Sequence, residues 1–160
     1  AFEYGGAVAD ALVGFKHAGR VDVARLLAPY LAPVFASAAA AGADLVVPVP
    51  LHPRKLRRRG YNQSALLARA ALRTGDRLRL PLALGVLARA RDTEELGRAS
   101  PGERRARVEG AFTASQKVRG RRVLVVDDVM TTGATASAWA RALLDAGARE
   151  VRVAVLARAT

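Results

Sequence analysis

Two neighbouring carboxylates, Asp127 and Asp128, follow a run of apolar and β-branched residues near the carboxyl end of the chain. Adjacent buried carboxylates repel each other and lose hydration, so folding alone gives no reason to place them at the end of a strand. Sugar hydroxyls or a hydrated divalent cation would satisfy them, because ionised carboxylates accept hydrogen bonds and bind hard cations. The pair therefore predicts a binding site, and helix capping by one of the acids is the alternative.

The residues after the acidic pair are small and rich in hydroxyl groups. They are Thr131, Thr132, Gly133, Ala134 and Thr135. We expect residues 127–135 to form a turn that leads into a helix, where free backbone N–H groups and the positive end of the helix dipole favour a phosphate. One turn would then hold a sugar through its acids and the phosphate of that sugar through its amides.

A second segment is strongly basic. Between Leu45 and Gly75 the chain has seven formal positive charges and no acid, and five of these charges fall within residues 54–59. We expect residues 51–60 to form a loop after a strand that ends near Pro50, on the same rim as the acidic turn. A polyphosphate clamp is the favoured interpretation, and a solvated face or a nucleic-acid contact are the alternatives.

The elements that must position these two segments alternate between strands and helices. This order predicts an α/β fold with a mostly parallel sheet flanked by helices, in which ligands bind outside the carboxyl ends of the strands. We expect one domain over residues 1–160, with a helical amino-terminal portion at 1–43 and an α/β core at 44–160. Two helices separated at Gly19 and Arg20 should form the first portion.

Within that first portion, Pro29 and Pro33 argue against a continuous second helix. In the core we expect residues 122–126 to form a central parallel strand, because they are a continuous apolar run. The other expected elements are strands at 45–50, 80–87, 112–115 and 151–156, helices at 62–75 and 136–146, and a long loop at 89–110. The last helix should bury Trp139, Leu143 and Leu144 and stop at Gly147.

Composition excludes several classes of protein. The chain has 160 residues, a formal charge of +12 and no cysteine, which excludes a disulfide scaffold, a thiolate zinc site and a cysteine nucleophile. Neither the P-loop pattern nor G-x-G-x-x-G occurs, and too few residues follow Asp128 for a receiver domain. The uncharged stretch from Leu26 to Ala43 is interrupted by prolines, so we expect no membrane insertion. We expect a cytoplasmic protein. The net positive charge predicts an anionic partner.

Taken together, the two segments resemble a known family. Residues 127–135 resemble the phosphoribosyl pyrophosphate (PRPP) loop of type I phosphoribosyltransferases. Residues 47–63 resemble the V-P-V-P-L-H-x-x-x-x-x-R-G-[FY]-N-Q segment of the ComF competence-protein family. Weaker matches extend the resemblance over most of the chain, namely Tyr4, Phe15, Lys16, Arg89 and Thr93. The resemblance implies a type I phosphoribosyltransferase-like fold.

The resemblance also implies a role for each matching residue around the ligand. Asp127 and Asp128 would hold the ribose hydroxyls, directly or through Mg²⁺, and residues 131–135 would cradle the 5′-phosphate. The pyrophosphate would face a basic group made of Arg54, Lys55 and Arg58. The catalytic set implied in this way is Asp127, Asp128, Arg54 and Lys55.

The implied reaction is transfer of a phosphoribosyl group from PRPP to a nitrogen acceptor with release of pyrophosphate. The alternative is a non-catalytic component of the DNA-uptake machinery, whose arginine-rich surface binds single-stranded DNA. A homodimer is left open. Leu96 and Arg107 depart from the family, which commonly has Gln and Asn at these positions, and both fall in the loop expected to close over the site. The cysteine-rich zinc module common in the family has no counterpart in this sequence.

Three further residues are interpreted from their local patterns. His52 either binds phosphate or acts as an acid, or it serves as a turn residue between Leu51 and Pro53. Tyr61 either stacks on a base or packs the foot of the basic loop. Trp139 is expected to be core, since it lies on the apolar face of its helix.

Overall fold

The computed structural model describes residues 2–74, 79–91, 110–131 and 133–159. Its strands are β1 (Phe2–Glu3), β2 (Leu45–Pro48), β3 (Leu87–Arg89), β4 (Phe112–Ala114), β5 (Arg122–Met130) and β6 (Glu150–Arg158). Its α-helices are α1 (Gly6–His17), α2 (Val23–Ala40), α3 (Pro53–Arg59), α4 (Gln63–Thr74) and α5 (Ala134–Asp145). The alternation of strands and helices confirms the expected α/β class.

A parallel sheet with the order β1-β6-β5-β2 forms the centre of the molecule. β5 lies between β2 and β6, in a register that aligns Leu124 with Val46 on one side and with Arg152 on the other. The strand is buried on both faces, as its apolar run predicts. β3 and β4 form a separate antiparallel pair.

Two hydrophobic clusters hold the sheet between its flanking layers. Leu124 and Val126 of β5 point into a cluster made with α1, α2 and α4. Val123 and Val125 alternate to the other face, where the cluster includes α5 and the β3–β4 pair. The acidic pair that follows Val126 therefore belongs to a strand that is packed on both faces.

α2 is one continuous helix, although two prolines lie in its interior. The expectation that Pro29 and Pro33 would interrupt it is therefore wrong. Both prolines are on the exposed face, where water can satisfy the backbone carbonyls that lose an N–H partner. The opposite face buries Leu27, Leu31 and Phe35 in the core, and this burial outweighs the lost hydrogen bonds.

The amino-terminal portion also contains a strand that the sequence pattern did not indicate. β1 has two residues, and it pairs in parallel with β6 through Phe2 opposite Ala157. By length and composition, α2 is the one described helix that could cross a membrane. Its buried face packs against α4 and β6.

Two local predictions in the core are wrong. The segment at 51–60 is a basic helix, α3, rather than a loop, since Pro53 starts it at a position where a missing N–H costs nothing. The strand expected at 80–87 is reduced to a bridge between Leu82 and Val46, followed by a turn at Leu84 and Gly85, with β3 starting at Leu87. Gly85 has a positive φ of 73°, which breaks an extended strand.

The helices on either side of the acidic strand begin and end largely as predicted. α4 starts after Asn62, whose Oδ1 accepts a hydrogen bond from the N–H of Ala65 at 3.1 Å. α5 buries Trp139 and Leu143 and is followed by Gly147 with a φ of 92°. Leu144 was expected on the same buried face but is 49% exposed, because it follows Leu143 by about 100° around the helix.

Candidate functional site

The acidic pair lies inside the last part of β5 rather than in a turn. β5 continues to Met130, and Asp127 is aligned with Val155 of β6. The turn expected at 127–135 is therefore shorter than predicted, because the ladder with β6 continues past both acids and ends at Met130. Both carboxylates lie near the carboxyl end of the central strand, which is where the parallel sheet was expected to bind its ligand.

Asp127 is held by two hydrogen bonds that end on the same oxygen. The hydroxyl of Ser64, in the first turn of α4, donates to Asp127 Oδ1 at 3.1 Å, and the N–H of Asp128 donates to it at 2.9 Å. Both fix the direction of the carboxyl group and leave Oδ2 for a ligand. The short side chain of Ser64 lets α4 approach the strand end at this point.

Asp128 is buried and faces α1. Its Oδ1 accepts a hydrogen bond from the N–H of Val129 at 3.0 Å. Its Oδ2 lies 2.8 Å from Lys16 Nζ. This second contact is an ion pair without hydrogen-bond alignment, since Oδ2 has no aligned donor among the described residues.

The two carboxyl groups affect each other electrostatically. The pKa of Asp127 is raised from 3.8 to about 8, first because the surrounding protein removes water from the carboxyl and second because Asp128 repels its charged form. Lys16 acts in the opposite direction and lowers this pKa. The charged form of Asp127 is therefore unfavourable in the free protein, and a cation or hydroxyl donors would stabilise it.

The turn after β5 leads into the helix α5 through Gly133. Gly133 precedes α5 with a φ of 76°, a left-handed conformation that favours glycine. No described side chain caps α5, and its first turn contains no acid. The alternative in which Asp127 or Asp128 caps this helix is therefore wrong, since Asp127 accepts from Ser64 and Asp128 contacts Lys16 instead.

The small residues of this turn are only partly described. Thr131 is exposed and precedes the helix, Ala134 is its first residue and Thr135 its second. Thr132 lies outside the described residues. The first backbone N–H groups of α5 have no intrahelical acceptor, so the geometry fits an anion at this point.

The basic segment reaches the same rim of the sheet. β2 runs beside β5, and the N–H of Val49 donates to the carbonyl of Val126 at 2.9 Å, directly before the acidic pair. The chain then enters α3, on which Arg54 and Arg58 are exposed and Lys55 is half-buried. The structure therefore brings the predicted basic and acidic segments to neighbouring strand ends.

The corner between α3 and α4 ties the basic helix to the acidic strand. Gly60 ends α3 in the left-handed conformation with a φ of 82°. Asn62 donates from Nδ2 to the carbonyl of Val49 at 3.0 Å while its Oδ1 caps α4. Arg59 donates to the buried side chain of Gln63. Each polar residue of this corner thus has a structural partner.

Tyr61 packs within the protein, as one of its two interpretations predicted. Its ring stacks on Phe15 with a centroid distance of 5.9 Å, and its hydroxyl donates a hydrogen bond to the carbonyl of Phe15. This contact fixes the last turn of α1 against the α3–α4 corner. Lys16, the next residue, is thereby directed to the acidic pair.

Two residues of the site had no role predicted from the sequence, Ser64 and Lys16. Lys16 belonged to a weak family match, but nothing in its local pattern shows that its partner is Asp128, more than one hundred positions away. Ser64 had been placed only on a helix. Its one local signal was a hydroxyl residue in the first turn of α4, two residues after the cap.

Of the remaining residues singled out in the sequence, those that the structure describes lie in β3 and before α3. Arg89 was expected to open a long loop but is the last residue of β3, where it is buried with its guanidinium 5.4 Å from the ring centre of Phe112. Thr93, Leu96 and Arg107 lie outside the described residues. His52 precedes α3 as its N-cap residue.

The donor set at the acidic pair fits Mg²⁺ in part. No group of three or more His, Cys, Asp or Glu side chains that could hold a metal is found among the described residues. Asp128 Oδ2 is nonetheless a buried carboxylate oxygen with no aligned donor among the described residues, and it contacts only the charged head of Lys16. Mg²⁺ commonly uses one or two carboxylates and completes its shell with water and substrate phosphates, so Asp127 and Asp128 suit a cation that arrives with a phosphorylated ligand.

Comparison with known proteins identifies the family of this chain. The family model described as phosphoribosyl transferase domain matches residues 58–160. Competence protein F of Haemophilus influenzae is 34% identical over 119 residues, which cover 72% of this chain and 51% of that protein. DNA utilization protein YhgH of Escherichia coli O157:H7 is 37% identical over 115 residues, which cover 72% of this chain and 49% of that protein.

The chain thus spans about half the length of these curated relatives. One solved structure is described as an analysis of an invariant aspartic acid in HPRTs, in its alanine mutant. It aligns with this chain with a TM-score of 0.51 at 14% identity, and the alignment covers 86% of this chain and 78% of that chain. At that identity the likeness shows the fold alone, and it confirms the fold expected from the PRPP-loop resemblance. The similarity to Competence protein F confirms the family resemblance read from residues 47–63. The chain belongs to the phosphoribosyl transferase domain family.

Proposed function

We propose that this chain binds PRPP together with Mg²⁺ and transfers its phosphoribosyl group to a nitrogen acceptor in the cytoplasm. The observation that carries the proposal is the position of two carboxylates at the end of the central parallel strand, close in sequence to the N-terminus of α5, which no described side chain caps. Asp127 and Asp128 would accept hydrogen bonds from the ribose hydroxyls. The amides at residues 131–135 would hold the 5′-phosphate.

The basic helix supplies the third part of the proposed site. In the reaction the acceptor nitrogen bonds to C1 of the ribose, the bond from C1 to the pyrophosphate oxygen breaks, and pyrophosphate leaves with the electron pair. Negative charge gathers on the leaving group, so fixed positive groups stabilise the transition state. Arg54, Lys55 and Arg58 are the candidates, because α3 starts just after the strand end beside the acids. Mg²⁺, when bound, would add charge neutralisation on the pyrophosphate.

Calorimetry with PRPP and Mg²⁺ tests the binding part of this proposal. Wild type should release or absorb heat with a saturable isotherm, and Asp128→Asn should weaken the affinity at least about tenfold, because it loses a charged acceptor. Asp145→Asn, an exposed acid in the last turn of α5, is the matched control and should bind as wild type does. Absence of any PRPP heat with the wild-type protein would refute the proposal.

A pyrophosphate-release assay with a panel of nucleobases and amines tests the transfer. Release should depend on one class of acceptor and should fall when Arg54 is changed to Gln. Arg69→Gln, on the exposed face of α4, is the matched control. Release that proceeds equally without any acceptor would show hydrolysis and contradict transfer.

Binding of single-stranded DNA is the second candidate function. α3 carries five formal positive charges within seven residues, and Arg54, Arg57 and Arg58 are exposed. The curated relatives are named for competence and DNA utilization. If phosphate contacts dominate, the logarithm of the affinity for a single strand should fall linearly with the logarithm of salt concentration, and Arg57→Gln should reduce the slope by about 0.7. An affinity independent of salt would contradict this function.

A further inference from the structure

Lys16 places a positive charge directly on the acidic pair. It lies in the last turn of α1, where the helix dipole favours a cation. Its backbone is fixed by the residue before it, since Phe15 is fully buried and its carbonyl accepts the hydrogen bond from Tyr61. The side chain therefore starts from a rigid point and extends to Asp128.

The contact with Asp128 has the character of an exchangeable ion pair. Nζ lies 2.8 Å from Oδ2, yet this oxygen has no aligned hydrogen-bond donor among the described residues. The Lys16 side chain is 26% exposed, whereas that of Asp128 is 5% exposed. The lysine head therefore lies at the more exposed end of this contact, and its flexible stem allows it to leave without any change in the backbone.

A divalent cation held between the two acids would use Asp127 Oδ2 together with the Asp128 oxygen that Lys16 contacts. Asp127 Oδ1 is already used by Ser64 and the backbone, and Asp128 Oδ1 is used by Val129. The oxygen of Asp128 that remains for a ligand is Oδ2, where Lys16 now lies. A monovalent ammonium and a divalent cation cannot share this position, because they repel each other at contact distance.

We propose that Lys16 is a resident cation of the acidic pair, which neutralises Asp128 in the ligand-free protein and is displaced from Oδ2 when a divalent cation binds. Lys16 thereby weakens binding of the free cation and reserves the site for a cation that brings further binding energy with a phosphorylated ligand. The inference rests on the proposed function, in which the acidic pair takes part in holding Mg²⁺.

Titration with Mn²⁺ alone tests the displacement without any substrate. The electron paramagnetic resonance signal of the free ion measures how much Mn²⁺ the protein binds. Lys16→Met keeps the length of the side chain and removes its charge, so Mn²⁺ should bind about tenfold more tightly than to wild type. Lys117→Met, which removes an exposed lysine from the 3-10 turn before β5, should bind as wild type does. The double variant with Asp128→Asn should lose the gain. An unchanged or weaker Mn²⁺ affinity of Lys16→Met, or no measurable binding by it, would overturn the proposal.

A spectroscopic measurement on the unaltered protein covers the case in which Lys16→Met does not fold. The chain contains three lysines, so protein labelled with ¹³C at the lysine ε-carbon gives three signals, which single Lys→Arg variants assign. Saturating Mg²⁺ should shift the Lys16 signal towards that of a solvated lysine and leave the Lys117 signal in place. A Lys16 signal that does not move would overturn the proposal. Failure of PRPP to bind to wild type would instead refute the proposed function, whereas the Mn²⁺ titration and the Lys16 signal would still decide whether a cation displaces Lys16.

Discussion

Replacement of Asp127 by Asn should stabilise the folded chain at alkaline pH. The carboxyl group has a pKa raised from 3.8 to about 8, so the folded state binds its proton more tightly than the unfolded state does. Below about pH 4 the group is protonated in both states and costs nothing. Between pH 4 and 8 the unfolded chain alone releases the proton, so stability falls as pH rises, and above pH 8 the full penalty is present.

The magnitude follows from the difference between these two values. Since each tenfold change in a proton affinity is worth about 1.4 kcal/mol, the upper bound is about 5 to 6 kcal/mol. Partial solvent access and relaxation around the carboxyl reduce the effect, so we expect the variant to exceed wild type by about 2 to 3 kcal/mol at pH 8.5. At pH 4 the two proteins should be nearly equal. The amide of Asn keeps an oxygen that can accept the hydrogen bonds from Ser64 and Asp128.

Urea unfolding of both proteins at a series of pH values measures the difference, and subtraction cancels all groups that titrate alike in the two. Asp145→Asn is a control for the loss of an exposed negative charge, and it should show no pH-dependent gain. A difference between wild type and Asp127→Asn that stays constant from pH 4 to 8.5, or a variant less stable at pH 8.5, would refute the reasoning.

Three further substitutions test how the site is positioned. Tyr61→Phe removes the hydroxyl that donates to the carbonyl of Phe15, so the free energy of unfolding in urea should fall by about 1 kcal/mol; no loss would show that the hydrogen bond does not hold α1. Asn62→Ala removes the α4 cap and should cost about 1 to 2 kcal/mol in the same assay, whereas an unchanged midpoint would contradict its role. Gly133→Ala places a side chain at a φ of 76°, where no described residue other than its chain neighbours comes within 4 Å of the new Cβ, so backbone strain should cost about 1 to 2 kcal/mol. A cost near zero would show that the turn relaxes freely.

The sequence was most informative where one local signal dominates. The apolar run before the acids predicts a central parallel strand, and in the structure β5 lies between two parallel neighbours. Asn62 predicts the start of α4 because its side chain replaces a missing backbone acceptor. In both places the physical cause is local, so neighbouring residues contain the information.

Prediction failed where tertiary contacts override a local preference. Pro29 and Pro33 lie within a continuous helix because its other face is buried, and no local pattern gives the extent of that burial. The charges of α3 suggested a loop, although Pro53 is a common first residue of a helix. The pairing of Lys16 with Asp128 depends on how α1 docks against the sheet, which the spacing of residues does not encode.

A crystal structure of the chain with PRPP and Mn²⁺ tests the central claim most directly, since the anomalous signal locates the cation. We expect the ribose at Asp127 and Asp128, the 5′-phosphate at the start of α5, and the pyrophosphate facing α3. A ligand bound elsewhere, or one bound here while Lys16 keeps its contact with Asp128 and the cation lies away from both acids, would contradict the account.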